Sequence, residues 1–338
     1  MKRIFTLLFA VLTATTIMAQ MHGPMKFVGA SNMKVSTMNI DNPSDTILFA
    51  MNGMESGNIT LPAMKGMQTI PSFTISGAKF TLGENHVVTF ADQTFSTKVK
   101  VDGAEKNITG TSLSGTYNMA DNSLSLTVVF QYGNMPMSMT YTVKGYYVKA
   151  VSNPITVTVG GQFTYNNDNV TYELRRYKDG ETDKLDVTVP SYTLANTVMG
   201  DLTLGSYTVK GLVYDEAQGG YYRDYKNDGL SFHFTAVKNG KTTMDKDYEF
   251  AADKANNILV KYEGSNVSSI VNTFQMGAMP FGIVSVFSGA TTSINGVTTT
   301  PSHDFNTTSS QQYNLAGQRV DNNYKGIVIV NGKKYLRK

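Results

Sequence analysis

One short element occurs twice in this chain, and the repetition limits the architecture more than any single residue does. Gln131-Tyr132-Gly133-Asn134-Met135-Pro136 leads into Met137-Ser138-Met139-Thr140-Tyr141-Thr142-Val143-Lys144-Gly145. Gln275-Met276-Gly277-Ala278-Met279-Pro280 leads into Phe281-Gly282-Ile283-Val284-Ser285-Val286-Phe287-Ser288-Gly289. The two stand 144 residues apart, a domain's length, so the chain reads as two tandem copies of one fold. Phe73-Thr74-Ile75-Ser76-Gly77 pairs with Tyr207-Thr208-Val209-Lys210-Gly211, and Leu124-Ser125-Leu126 with Ile258-Leu259-Val260, each at a spacing of 134. The step from 134 to 144 predicts about ten extra residues in the second copy, between Ser265 and Phe274.

Within each copy the apolar residues recur with period two. Met137, Met139, Tyr141 and Val143 fall on one face, with Ser138, Thr140, Thr142 and Lys144 on the other. Leu124, Leu126, Val128 and Phe130 alternate with polar residues in the same way. Strands that are dry on one face and wet on the other belong to antiparallel sheets or barrels. In the second copy Val284 and Val286 add apolar character to the outer face as well, which suits packing on a neighbouring domain. Asn52-Gly53, Asp102-Gly103, Asp179-Gly180, Asp228-Gly229 and Asn239-Gly240 supply turns at strand spacing, since these residues tolerate positive φ. The expected class is all-β, with about eight strands per copy closing into an up-and-down barrel; a two-sheet sandwich is the competing arrangement.

These strands and their Gly-x-x-Pro hairpins resemble the calycin-like β-barrel domains of secreted Bacteroidetes proteins, over roughly Lys26 to Gly289. The resemblance implies two calycin-like barrels, at residues 20–150 and 151–290, joined near Asn153-Pro154. The chain has no Trp, so the Gly-x-Trp signature of true lipocalins is missing and their ligand chemistry does not transfer directly.

The two ends read differently. Lys2-Arg3, an apolar stretch from Ile4 to Met18, and Ala19-Gln20 form the pattern of a secretory signal peptide over residues 1–19, cut between Ala19 and Gln20. The stretch is too short to span a bilayer, and no later segment is long enough, so an integral membrane protein is not expected. Residues 291–312 are rich in Ser and Thr without periodicity and read as a linker. The last segment, 313–338, carries Gly317, Arg319, Lys325, Gly326, Gly332 and Lys333 in short β-like runs, with six basic residues against Asp321. It resembles the C-terminal sorting signal of type IX secretion cargo, which implies that secretion machinery as a partner. The expected location is secreted or cell-surface, with the periplasm as the alternative.

Composition removes several chemistries. With no Cys there is no disulfide, lipobox, thiolate metal site or Cys nucleophile. The formal charge of +3 includes Lys2 and Arg3, so nothing points to a nucleic-acid partner. His22, His86, His233 and His303 show no metal-ligand spacing. No nucleophile elbow, phosphate loop or dinucleotide fingerprint occurs, and Asp215, Glu216 and Asp224 are loop acids without a motif. The chain is therefore expected to be non-enzymatic, without cofactor or metal. A barrel holding an apolar or amphipathic small molecule is the leading function. Met137, Met139, Tyr141, Phe281 and Ile283 are the candidate ligand-lining residues, against the plain alternative that they are core. A structural or adhesive surface protein with solid barrels is the rival. A carbohydrate-contacting module is a third reading, resting on Tyr141, Tyr146 and Tyr147 and on Tyr214, Tyr221, Tyr222 and Tyr225. Asp45-Thr46-Ile47 matches the short O-glycosylation acceptor of Bacteroidetes.

Overall fold

The period-two pattern becomes strands throughout the computed structural model, which describes residues 23–288 except Met67, Glu84, Asn85 and Ala278, together with the backbone of three tail strands. The first eleven strands are β1 (Met25–Val35), β2 (Met38–Met51), β3 (Ser56–Leu61), β4 (Met64–Lys65), β5 (Thr69–Ile70), β6 (Phe73–Lys79), β7 (Thr81–Leu82), β8 (Val87–Val101), β9 (Ala104–Asn118), β10 (Ser123–Tyr132) and β11 (Met139–Val159). β6 and β7 act as one strand interrupted at Phe80, pairing with β3 on one side and β8 on the other. Where β8 bulges, the Gln93 side chain replaces a ladder bond: its Oε1 accepts from the Lys79 amide at 2.8 Å and its Nε2 donates to the Lys79 carbonyl at 2.7 Å. Closure comes from β1 pairing with β11, so eight antiparallel strands form a ring, with the β4–β5 hairpin as an insertion.

The second ring follows with β12 (Phe163–Asp179), β13 (Thr182–Val189), β14 (Tyr192–Thr197), β15 (Gly200–Leu204), β16 (Tyr207–Asp215), β17 (Gly220–Asp224), β18 (Ser231–Lys238), β19 (Lys241–Glu249), β20 (Asn257–Glu263), β21 (Asn266–Phe274) and β22 (Ile283–Ser288). Here β11, β12, β13, β16, β17, β20, β21 and β22 make the barrel, closed by β11 against β22 from Ile155↔Phe287 to Val159↔Ile283. The hairpins β14–β15 and β18–β19 combine into a separate four-stranded sheet. Two closed rings exclude the sandwich. The 102–103 and 239–240 hairpins have positive φ at both residues, as their Asp-Gly and Asn-Gly sequences predict.

No linker separates the barrels. β11 is the last strand of the first, paired with β1 as far as Phe27↔Tyr147, and the first strand of the second, paired with β12 from Val148↔Arg175. Asn153-Pro154, expected as the joint, lies inside this strand, at a register shift where Pro's missing N–H is tolerated. Across the seam Lys26 pairs with Glu173 at 2.8 Å, and the Tyr146 and Tyr177 rings stand 5.7 Å apart.

The repeat also takes its strand assignment from the rings. β6 and β16 are both fourth strands, and the 133–138 and 275–282 turns both join strands seven and eight. Leu124 lies in the seventh strand, β10, whereas Ile258 lies in the sixth, β20, so that pair is not equivalent. The predicted insertion at 265–274 is corrected accordingly: that segment is β21 itself, and the added material is the β18–β19 hairpin between strands five and six.

Each barrel has its own core. Phe27, Phe49, Phe90 and Phe130 fill the first, with the Phe49 ring edge-on to Phe80 at 5.8 Å and to Phe90 at 5.3 Å. Tyr172, Tyr225, Phe274 and Phe287 fill the second. In the tail, β23 (Gln312–Asn314), β24 (Gly326–Val330) and β25 (Lys333–Arg337) form a three-stranded antiparallel sheet. The signal segment with Ala19 and Gln20, the linker up to residue 311, His22, His303, Gly317, Arg319, Lys325 and Gly332 lie outside the described residues. Gly326 and Lys333 begin β24 and β25.

Candidate ligand-binding site

The two ends of the second barrel are finished in different ways. At one end the hairpins β14–β15 and β18–β19 leave the ring and fold back, so that Tyr192, Leu194, Leu204, Phe232 and Phe234 join the barrel core. At the other end the inward face passes from apolar to polar-tipped residues within one pleat. Leu174, Leu185 and Val260 are buried, and Arg176, Asp183 and Tyr262 stand two residues further along their strands on the same face. Cross-strand pairing confirms the shared face: Lys149↔Leu174, Arg176↔Leu185, Tyr214↔Tyr221 and Tyr221↔Val260. Lys149, Arg176, Asp183, Tyr214, Tyr221 and Tyr262 surround a cavity of about 660 Å³, lined also by Leu174 and Leu185 and by Asn122 and Tyr147 of the first barrel. The volume lies within the range of small-molecule pockets. Gly220 permits the close strand approach at the rim, because a Cβ there would lie 2.6 Å from the Val260 carbonyl oxygen.

The wall combines aromatic faces with one solvent-accessible ion pair. Arg176 Nε donates to Asp183 Oδ2 at 2.9 Å, and the guanidinium lies 5.5 Å from the centre of the Tyr221 ring. The Tyr221 hydroxyl donates to the same carboxylate oxygen at 3.0 Å. The Arg176 hydrogen bond holds the Asp183 carboxyl below its ordinary range, against the opposing effect of burial. Burial first, and then the bond to Asp183, push the Tyr221 hydroxyl up to about 12; burial takes Tyr262 to about 12 as well. Both phenols are therefore neutral at pH 7. Tyr221 stands edge-on to Tyr214 at 5.7 Å and to Tyr262 at 6.0 Å, and Tyr214 is 52% exposed. Lys149 Nζ donates to the Ser265 carbonyl at 2.9 Å and makes no salt bridge among the described residues. Such a mouth accommodates a molecule with an apolar body and a polar end.

The five residues singled out from the sequence do not converge on this cavity. Met139 and Tyr141 are buried in the first core and Ile283 in the second. Met137 is 38% exposed in the turn before β11, so the alternating row starts only at Met139. Phe281 is 48% exposed in the turn before β22, with its ring beside Gly160. Of the tyrosine clusters, Tyr147, Tyr214 and Tyr221 line the cavity, whereas Tyr225 is buried and bonded to Asn272 at 2.8 Å. Asp215 accepts from the Ala217 amide at 2.8 Å within its turn, and Asp224 pairs with Lys226. Lys149, Arg176, Asp183 and Tyr262 were missed. Their signal was a polar residue in phase with the apolar row at a strand's end, as in Leu174 to Arg176 and Val260 to Tyr262.

The family model of the calycin-like beta-barrel domain matches residues 25–146 and, a second time, residues 153–290. No curated protein matches the chain. Among solved structures, a Bacteroides fragilis protein provisionally described as an outer membrane protein is 16% identical, covering 78% of this chain and 96% of its own, with a TM-score of 0.25.

Proposed function

From a chain that belongs to the calycin-like β-barrel family, with two copies of the domain in series, we propose a non-enzymatic binding protein that holds an amphipathic small molecule at the open end of its second barrel. The observation that carries this reading is the 660 Å³ cavity lined by Leu174 and Leu185, with a rim of Tyr214, Tyr221, Tyr262, Arg176 and Lys149. The barrel interiors are filled by their own aromatic side chains, which moves the ligand from inside a barrel to its mouth. The ligand's apolar body rests on Leu174, Leu185 and the tyrosine rings, and its polar end meets Lys149 and the Arg176–Asp183 pair. The protein works after export, a reading supported by the basic and apolar pattern of residues 1–19 and by the sorting-like tail 313–338.

Native mass spectrometry of the full exported chain, purified from its source and then exposed to an amphiphile panel, tests the ligand. One bound molecule per chain is expected, weakened about three- to tenfold by Tyr214→Ala, whose exposed ring is removable without opening the core. An empty mass throughout the panel, or binding indifferent to Tyr214→Ala and Lys149→Met, would count against this assignment.

A further inference from the structure

Among the described residues two aspartates are buried at the barrel walls, and they are compensated differently. Asp186 is 4% exposed and paired with Arg175 at 2.5 Å. Asp45, on β2 of the first barrel, is 8% exposed and has no salt bridge among the described residues. Three neutral donors meet it instead: Ser31 Oγ at 2.5 Å and the Tyr141 hydroxyl at 2.8 Å on Oδ2, and Asn42 Nδ2 at 2.5 Å on Oδ1. A buried carboxylate without a cation is costly, and proteins ordinarily pair it.

Asp45 lines a cavity of about 320 Å³. The apolar wall is Met33, Ile40 and Met64, the last carried over the barrel end by the β4–β5 hairpin. Asp41 and Lys65 also line the cavity, so its charged groups are two carboxylates and one ammonium. The volume suits a molecule of a few heavy atoms, and the chemistry is a fixed acceptor at one side of a thioether and aliphatic wall.

We propose that this pocket binds a small organic ammonium, its charge against Asp45 and its methylene groups against Met33, Ile40 and Met64. The site lies in the first barrel, shares no residue with the cavity of the second, and stands or falls independently of it.

Calorimetry on the full chain, with butylammonium, butanol and butanoate as probes, tests the assignment. Butylammonium is expected to bind at least about tenfold more tightly than butanol, with butanoate weakest. Asp45→Asn should abolish the preference, whereas Lys149→Met, in the other cavity, should retain it. If Asp45→Asn does not fold, Ile40→Trp, which fills the pocket without touching the Asp45 hydrogen bonds, must abolish binding in its place. Equal binding of alcohol and ammonium, no binding of either, survival of binding in Ile40→Trp, or preference for calcium over the ammonium would each overturn the proposal.

Discussion

Arg175 of the second barrel donates a hydrogen bond from its guanidinium to the backbone carbonyl of Val28 in the first, at 3.0 Å across the seam. The same guanidinium neutralises Asp186, which also accepts from the Gly211 amide at 2.8 Å. One side chain therefore bridges the two barrels and compensates a buried charge. Removing it leaves that charge without a cation, held by the Gly211 amide, and Arg175→Met is expected to cost about 3–5 kcal/mol. Calorimetry should show the loss as a lower melting temperature, largely recovered when Asp186→Asn is added. A cost below about 1 kcal/mol would mean that water replaces the arginine.

Gly29 and Gly145 face each other across β1 and β11. A Cβ on Gly29 would lie 2.0 Å from the Lys144 carbonyl oxygen, so the two strands approach more closely than any side chain permits. Gly29→Ala must push the closing ladder of the first barrel apart, at an expected cost of about 1–3 kcal/mol in urea unfolding. Gly103→Ala tests a different mechanism, since it has open space around it and pays only for its positive φ of 81°.

His233 lies between Asp245 and Asp247 on the exposed face of the four-stranded sheet, at 3.0 and 2.9 Å. The Asp247 hydrogen bond is the main cause that raises its pKa above the ordinary histidine value. The linkage follows from that direction. The folded state binds the proton more tightly, so the pair's contribution is complete below the unfolded value near 6.5 and disappears as pH rises through the raised one. An NMR titration should place the His233 midpoint above that of a histidine in an unfolded peptide, and Asp247→Asn should bring it down. A midpoint at or below the peptide value would refute the pairing.

Residues 313–338 carry the basic, strand-forming tail. Deleting them is expected to retain the protein inside the cell envelope, while the barrels keep their melting behaviour. Fractionation of cells expressing the full and truncated chains checks this, and an unchanged location would remove the sorting role.

Much of the scaffold was legible because it depends on local, periodic chemistry. Met139-Thr140-Tyr141-Thr142-Val143 could only present its apolar residues to one side, and Asp102-Gly103 could only turn tightly. Ring membership was less accessible: Leu124 and Ile258 match in pattern yet occupy different strands, because period two says which face a residue takes and not which neighbour its strand has. The binding cavity was the least legible part. Lys149, Arg176, Asp183, Tyr214, Tyr221 and Tyr262 lie on six strands and share no sequence motif.

The amino-acid sequence alone determined the all-β class, the duplication and the alternation of wet and dry faces, since each follows from residue type and spacing. Tertiary structure alone decided that one strand, β11, serves both barrels, that aromatic side chains pack their interiors, and that the larger of the two cavities described lies at a mouth between them. Those outcomes depend on ring closure, which sets strand register and brings together residues more than a hundred positions apart, such as Lys149 and Ser265.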